Sequence, residues 1–367
     1  MATAAKRRSS PRGRTATQEA ALPPQAVPAP LPATLQPQLA TLVDAPPADG
    51  GDWFYEVKFD GYRLLARIED GQVRLVTRNG NDWTARMPDL AAALAQAGWP
   101  DGWYDGEIAV PDENGIPDFQ ALQNAFDSTR TQRIVYYVFD VPFCNGYDLR
   151  GVPLSERRRL VEALFRHEVP AAIRLSGIIS ADAASVVRSA CQMGLEGVIG
   201  KRKSSIYTAR RSADWIKLKC SQRQEFIIGG YTDPQGARKA FGSLLLGVHD
   251  EHGALRYVGN VGTGFSERSL EELRHKLAAY VTEECPFANR RGILKRAHWV
   301  EPVLLAEVSF GSWTDNGHIR HSVFHGLRAD KPPRAIVREA PAHARGPAAA
   351  RGKAGSGGPS RPSRRRP

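Results

Sequence analysis

The chain has 367 residues, with 50 Lys and Arg against 39 Asp and Glu and a net charge of +11. That length allows a sizeable core and makes two domains the natural expectation. No apolar run is long enough to span a membrane, the basic N-terminus lacks the apolar stretch of a secretory signal, and Cys144, Cys191, Cys220 and Cys285 form no C-x-x-C pair, which argues against a zinc site and a disulfide framework. A reduced, soluble, intracellular protein is expected, and composition gives no sign of an oligomer, so a monomer is expected.

The charge sits at the ends. Residues 1–20 carry a net of +4 and residues 340–367 a net of +7, which leaves 21–339 neutral. Both ends are rich in Ala, Pro, Gly and Ser and lack apolar periodicity, so disordered arms are expected. Such arms serve polyanion binding through counterion release, or simple solubilisation.

Residues 21–38 read as a Pro-rich linker, with order beginning near Leu39. Alternating or β-branched runs at 54–58, 62–68, 73–77, 134–141, 197–201 and 215–219 predict strands. Helical patterns at 87–97, 119–126, 155–167 and 182–193 interrupt them, with Ser155 and Asp182 as candidate caps. The mixture predicts an α+β domain on antiparallel sheet. Further on, strands at 225–231, 242–249, 255–261 and 304–309 flank one helix at 266–281, started by Ser266 with Glu267 and Glu271 close behind. Short strands with Gly-rich turns and one helix fit a small barrel of the oligonucleotide-binding type, an OB-fold. The expected organisation is a basic, Pro-rich arm at 1–38, an α+β domain at 39–221, the OB-fold domain at 222–338 and an Arg-rich tail at 339–367.

The most informative segment is Lys58-Phe59-Asp60-Gly61-Tyr62-Arg63, a K-x-D-G-x-R pattern. Lysine is a covalent nucleophile only when neutral, which requires desolvation or neighbouring cations. Trp215-Ile216-Lys217-Leu218-Lys219 supplies such cations: on a strand, 215, 217 and 219 share one face and 216 and 218 the other. Two adjacent ammonium groups repel, and a phosphate relieves that repulsion; a solvated strand edge is the bland alternative. Glu107 in Tyr104-Asp105-Gly106-Glu107 and Glu196 in Glu196-Gly197-Val198-Ile199-Gly200-Lys201 offer carboxylates beside glycine. Oxygen ligands together with phosphates suit magnesium or manganese. Strict alternation puts Glu196 and Lys201 on opposite faces unless Gly200 marks a bulge. Phe139 is placed either to stack on a base or to pack in the core. Arg78, on the turn Thr77-Arg78-Asn79-Gly80, is placed to hold a phosphate or to face water. Residues 201–223 carry eight Lys and Arg against Asp214 alone, as a groove tracking a nucleic-acid backbone would, or an ordinary exposed face.

In their order along the chain these segments, with Val138-Phe139-Asp140, resemble the motifs of covalent nucleotidyltransferases, the superfamily of ATP-dependent DNA ligases, RNA ligases and capping enzymes. Arg328-Ala329-Asp330-Lys331 is similar to the R-x-D-K motif of DNA ligases. The wording at 38–43, 222–226 and 324–328 resembles bacterial ligases of the ligase D type. The resemblance covers about 39–338. It implies ATP and a divalent metal as cofactors and a lysyl-AMP formed on Lys58, followed by sealing of a DNA 5′-phosphate to a 3′-hydroxyl. By the same resemblance Glu56 lies by the adenine through its backbone and Phe139 stacks on the base. Arg63 and Arg78 hold ribose or phosphate, and Glu107 and Glu196 serve ribose and metal. Lys217 and Lys219 contact the α-phosphate, and Arg328 and Lys331 steady the leaving pyrophosphate. Nicked or broken DNA is the implied partner, with a Ku-type end-binding protein left open, in bacterial cytoplasm at the nucleoid. Polymerase and nuclease domains are not expected in this sequence, and the basic arms are expected to compensate for a missing DNA-binding domain. An RNA ligase or capping-type enzyme, and a non-catalytic DNA-end-binding protein, are the rival readings.

Overall fold

The computed structural model describes residues 22–47, 52–128, 130–234, 240–289, 293 and 297–341. The basic stretches 1–20 and 342–367 lie outside them.

Two sheets build the first domain. One has the strand order Val27–Pro28, Tyr147–Asp148, Val135–Cys144, Gly102–Ala109, Tyr62–Glu69, Gln72–Thr77, with Ile173–Leu175 joining Val135–Cys144 in parallel. Alternation along Tyr62–Glu69 sends Tyr62, Leu64, Ala66 and Ile68 into the main core, where helices Pro88–Ala97, Phe119–Asp127 and Leu154–Leu164 add Leu90, Leu94, Leu122, Leu160 and Val161. Each large apolar side chain buried there contributes roughly 1.5–3 kcal/mol.

The other sheet runs Leu39–Leu42, Arg211–Lys219, Gly197–Arg202, Trp53–Val57. Ile216, Leu218, Val198 and Tyr55 pack on Val186 and Ala190 of helix Ala183–Gln192. The odd-numbered residues of Arg211–Lys219 face the other way, as the alternation predicts. Trp215 joins Leu65, Trp103, Phe139 and Tyr207 in a small cluster where the two sheets meet, and the cleft opens beside that contact.

The second domain hangs on one long strand, Gln222–Thr232, which pairs with Leu244–His249, Ala297–Val300 and Leu305–Phe310. A register shift between Ile228 and Gly230 bends it. The sheet curls round on itself: Phe324 N donates to Thr263 O at 2.9 Å, which brings the strand Val323–Arg328 against the end of Leu255–Val261. Helix Glu267–Ala278 starts with a capping box between Ser266 and Ser269. The α+β domain and OB-type barrel are those the sequence predicts.

Four local expectations are corrected. Residues 22–38 are not a free linker: Val27–Pro28 pairs with Tyr147–Asp148, and Leu35 and Gln38 are buried. Glu339 is likewise held in the structure. Ser155 is not a cap. Its helix starts at Leu154, after Pro153, and the first-turn N–H groups of Leu154 and Ser155 donate to the carbonyls of Ser205 and Lys203. Finally, Cys191 and Cys220 form a disulfide. It ties the end of a helix to the end of a strand, a juxtaposition created by the fold that a spacing of 29 residues does not reveal.

Candidate active site

Lys58 follows directly on strand Trp53–Val57, and its backbone N–H donates to Gly197 O. Gly61 owes its place to close packing, since a Cβ there would lie 2.0 Å from Ile108 O. The Lys58 ammonium forms an ion pair with Glu196. Burial alone would lower its pKa, but Glu196, with Asp60 and Glu107 behind it, holds it above the ordinary lysine value. The sequence expectation of an amine deprotonated by neighbouring cations is therefore not met: a carboxylate is the nearest charge.

Glu196 reaches Lys58 by a different route from the one expected. The pairing of Gly197–Arg202 is regular on both sides, so Gly200 makes no bulge. The irregularity is at Gly197, whose φ of 155° only glycine adopts readily and where a Cβ would meet Leu218 O at 2.1 Å. Glu196 precedes the strand, escapes its alternation, and faces the same cleft as Lys201. Lys201 itself bonds the buried Glu56 carboxylate at 2.9 Å, which also accepts from Ser176 at 2.6 Å.

The cleft encloses about 1090 Å³, counting its open mouth, and both domains line it. Glu56, Lys58, Arg63, Arg78, Glu107, Phe139, Glu196, Lys217, Lys219, Arg328 and Lys331 all border it, so the structure brings every residue singled out from the sequence to one place. Most cations there are already paired. Asp105 grips Arg63 with two bonds of 2.6 and 2.7 Å. Glu339 takes Lys217 at 2.8 Å and Lys219 at 2.9 Å. Glu225 takes Lys331. Arg328 bonds Glu307, Asp330 and, across the cleft, the carbonyl of Gly61 at 3.0 Å. Arg223 makes a second crossing to Asp60 at 2.8 Å. Arg78 has no such partner among the described residues. Burial first and Arg63 second pull its pKa down.

Phe139 is buried, with Arg63 4.5 Å and Lys201 3.8 Å from its ring centre. Lys217 is brought down to about 8 by burial and by Lys219, against the pull of Glu339. Burial raises Glu107 to about 7, opposed by Arg63 and Lys58. Glu107 has no hydrogen-bonded partner among the described residues, which leaves its oxygens available to a cation. No group of three His, Cys, Asp or Glu side chains forms a metal cage among the described residues. Glu107 and Glu196 fit an ion that draws its other ligands from phosphate and water, the habit of magnesium.

Sequence reasoning missed Asp105, Glu307 and Glu339. Glu307 left a trace, as the lone acid on strand Leu305–Phe310, and Asp105 stands two residues from Glu107 on strand Gly102–Ala109. Glu339 left none.

The family model described as ATP dependent DNA ligase domain matches residues 37–219, and that described as ATP dependent DNA ligase C terminal region matches 237–331. The SPbeta prophage-derived DNA ligase-like protein LigB of Bacillus subtilis is 33% identical over 189 residues, 51% of this chain and 68% of that protein. This chain belongs to the ATP-dependent DNA ligase family. The Pseudomonas aeruginosa multifunctional non-homologous end joining protein LigD is 50% identical over 317 residues, 85% of this chain and 38% of that protein. The Mycobacterium tuberculosis multifunctional non-homologous end joining DNA repair protein LigD is 37% identical over 313 residues, 83% and 40%. The chain thus spans about two fifths of the LigD relatives it matches. Among solved structures, mycobacterial DNA ligase D complexed with ATP and MES superposes with a TM-score of 0.62 at 37% identity, covering 83% of this chain and 98% of that one.

Proposed function

We propose that this ligase joins a DNA 5′-phosphate to a 3′-hydroxyl at the expense of ATP, through an adenylyl group carried on Lys58, and that it acts in the repair of double-strand ends. The observation that carries the reading is Lys58 with Glu196 on one wall of a cleft, Lys217 and Lys219 on the same sheet, and Arg328 and Lys331 brought over from the second domain.

In the first step Lys58 Nζ bonds to the α-phosphorus and pyrophosphate leaves. Nζ must first shed a proton, and the nearest acceptor is the Glu196 carboxylate it already touches. Lys217 and Lys219, on one face of one strand, neutralise the α-phosphate, while Arg328 and Lys331 meet the departing pyrophosphate. Glu107 and Glu196 would hold a magnesium or manganese ion, which would screen the phosphate charge. Positioning and charge neutralisation are most of what phosphoryl-type transfer asks of a protein. Glu56 and Phe139 border the purine end and Arg63 and Arg78 the sugar-phosphate. The second domain then has to swing out to admit DNA. Similarity to the LigD proteins supports end joining, and a Ku-type end-binding protein as partner goes with that role.

Mass spectrometry of the chain given ATP and magnesium should find one adenylyl group on Lys58, and GTP should leave none. An adduct on another side chain, or none, sinks the proposal. Sealing of nicked and double-ended DNA, with and without a Ku-type protein, tests the repair role.

A further inference from the structure

One carboxylate comes from a segment to which no role has been given, and it lies in a hollow that adjoins the cleft at Lys219, Arg223 and Gln224. Glu339 Oε1 accepts from Lys217 and Oε2 from Lys219, at 2.8 and 2.9 Å. Each oxygen meets one ammonium of a pair set side by side on one strand face, much as two oxygens of a phosphate would. The segment that carries it belongs to the second domain. Ile336 is buried in that domain's core and its carbonyl accepts from His249 N at 2.8 Å. Arg338 lies 4.5 Å from the centre of the Trp313 ring, and Glu339 N donates to Gln224 Oε1 at 3.1 Å. The carboxylate therefore travels with the second domain, while its two partners belong to the first. Its side chain is 25% exposed, so it leaves without unpacking a core.

We propose that Glu339 is an internal stand-in for the nucleotide's phosphate: it occupies Lys217 and Lys219 while the site is empty, latches the two domains together, and has to be displaced by ATP. This rests on the assignment of those lysines to the α-phosphate. Carboxylate and phosphate claim the same donors, so the two states exclude each other. Removal of the carboxylate frees the lysines for ATP and at the same time weakens the empty, closed form. A latched form favoured about tenfold over the open one lowers apparent nucleotide affinity by the same factor, which sets the scale of the expected effect.

The test compares the wild type, Glu339→Gln and a chain ended after Arg338. Dissociation constants for a non-hydrolysable ATP analogue, KM for ATP in self-adenylation, and the radius of gyration without nucleotide are measured on each. Both variants should bind the analogue roughly tenfold more tightly, show a KM lowered by a similar factor with little change in the maximal rate, and be more expanded when empty. Unchanged or weaker analogue binding in both variants overturns the proposal. A variant that fails to fold is replaced by the other, whose result stands alone. If the wild type forms no adduct at all, the ligase reading fails, but the analogue-binding comparison still decides whether Glu339 competes for the lysines.

Discussion

Two sets of ion pairs, one inside the first domain and one along and beside the cleft between the domains, have similar chemistry and opposite character. Asp140 and Arg157 are both fully buried behind the cleft and joined by bonds of 2.7 and 2.8 Å, and Arg157 spends a remaining donor on Val152 O and Ser205 O. Nothing is left over for a ligand. Along the cleft and the hollow that adjoins it, by contrast, Lys58–Glu196 and Lys217–Glu339–Lys219 retain access to solvent and border open volume. The first set fixes a fold, because a buried charge cannot lose its partner cheaply. The second set rests each lysine on a carboxylate within reach of solvent, the arrangement that the proposed exchange with phosphate requires.

Breaking the two sets should separate activity from stability. Lys58→Ala should abolish self-adenylation, leave the melting temperature nearly unchanged and retain sealing of a pre-adenylated nick; adenylation by the variant would place the nucleophile elsewhere. Asp140→Asn should do the reverse. Loss of one partner of a buried pair costs about 3–5 kcal/mol, which lowers the melting temperature by roughly 6–20 °C, while the folded fraction should still adenylate. Lys217→Ala removes one phosphate donor and should slow adenylation about 10- to 150-fold, the equivalent of one charge-assisted bond. A rate within twofold of wild type would put Lys217 among the merely solvated lysines. Deletion of 1–20 and 342–367 asks whether the remaining basic charge belongs with the exchangeable set. DNA affinity at low salt should fall about tenfold and its salt dependence flatten, and an unchanged slope rejects the idea.

The smallest effect concerns acid. Glu339 is held at about 2, because Lys217 and Lys219 outweigh the upward push of burial, against an ordinary value of 4.5. A depressed carboxyl adds stability that is fully present above 4.5 and disappears as pH falls toward 2. Chemical denaturation across that interval should show Glu339→Gln with a flatter acid limb than the wild type, and parallel curves would mean that the contact adds nothing.

Much of this was legible in the sequence where a local rule governs. Alternation along Trp215 to Lys219 placed Lys217 and Lys219 on the cleft face and Ile216 and Leu218 in the core, because a half-buried strand permits no other arrangement. Asp182 and Ser266 cap their helices as read. What the sequence did not reveal depends on distant segments meeting. The partner of Lys58 lies 138 residues away, that of Lys217 lies 122 away at the edge of an Arg-rich stretch, and the caps that replace Ser155 are carbonyls of another loop. Gly197 stays hidden for a subtler reason: a glycine's φ leaves no mark on hydrophobic pattern, so alternation points to Gly200, three residues late.

The passage from strand Arg211–Lys219 to strand Gln222–Thr232 takes only Cys220 and Ser221, and Cys220 is itself fastened to Cys191. Two residues reach roughly 7 Å at full stretch. The barrel can pivot on so short a tether but cannot drift off, so Arg328 and Lys331, proposed above to meet the pyrophosphate, remain at high effective concentration near the first domain's side of the cleft even with the jaws apart. Re-closure after each turnover is in that sense a rotation about a fixed pin rather than a search through solvent.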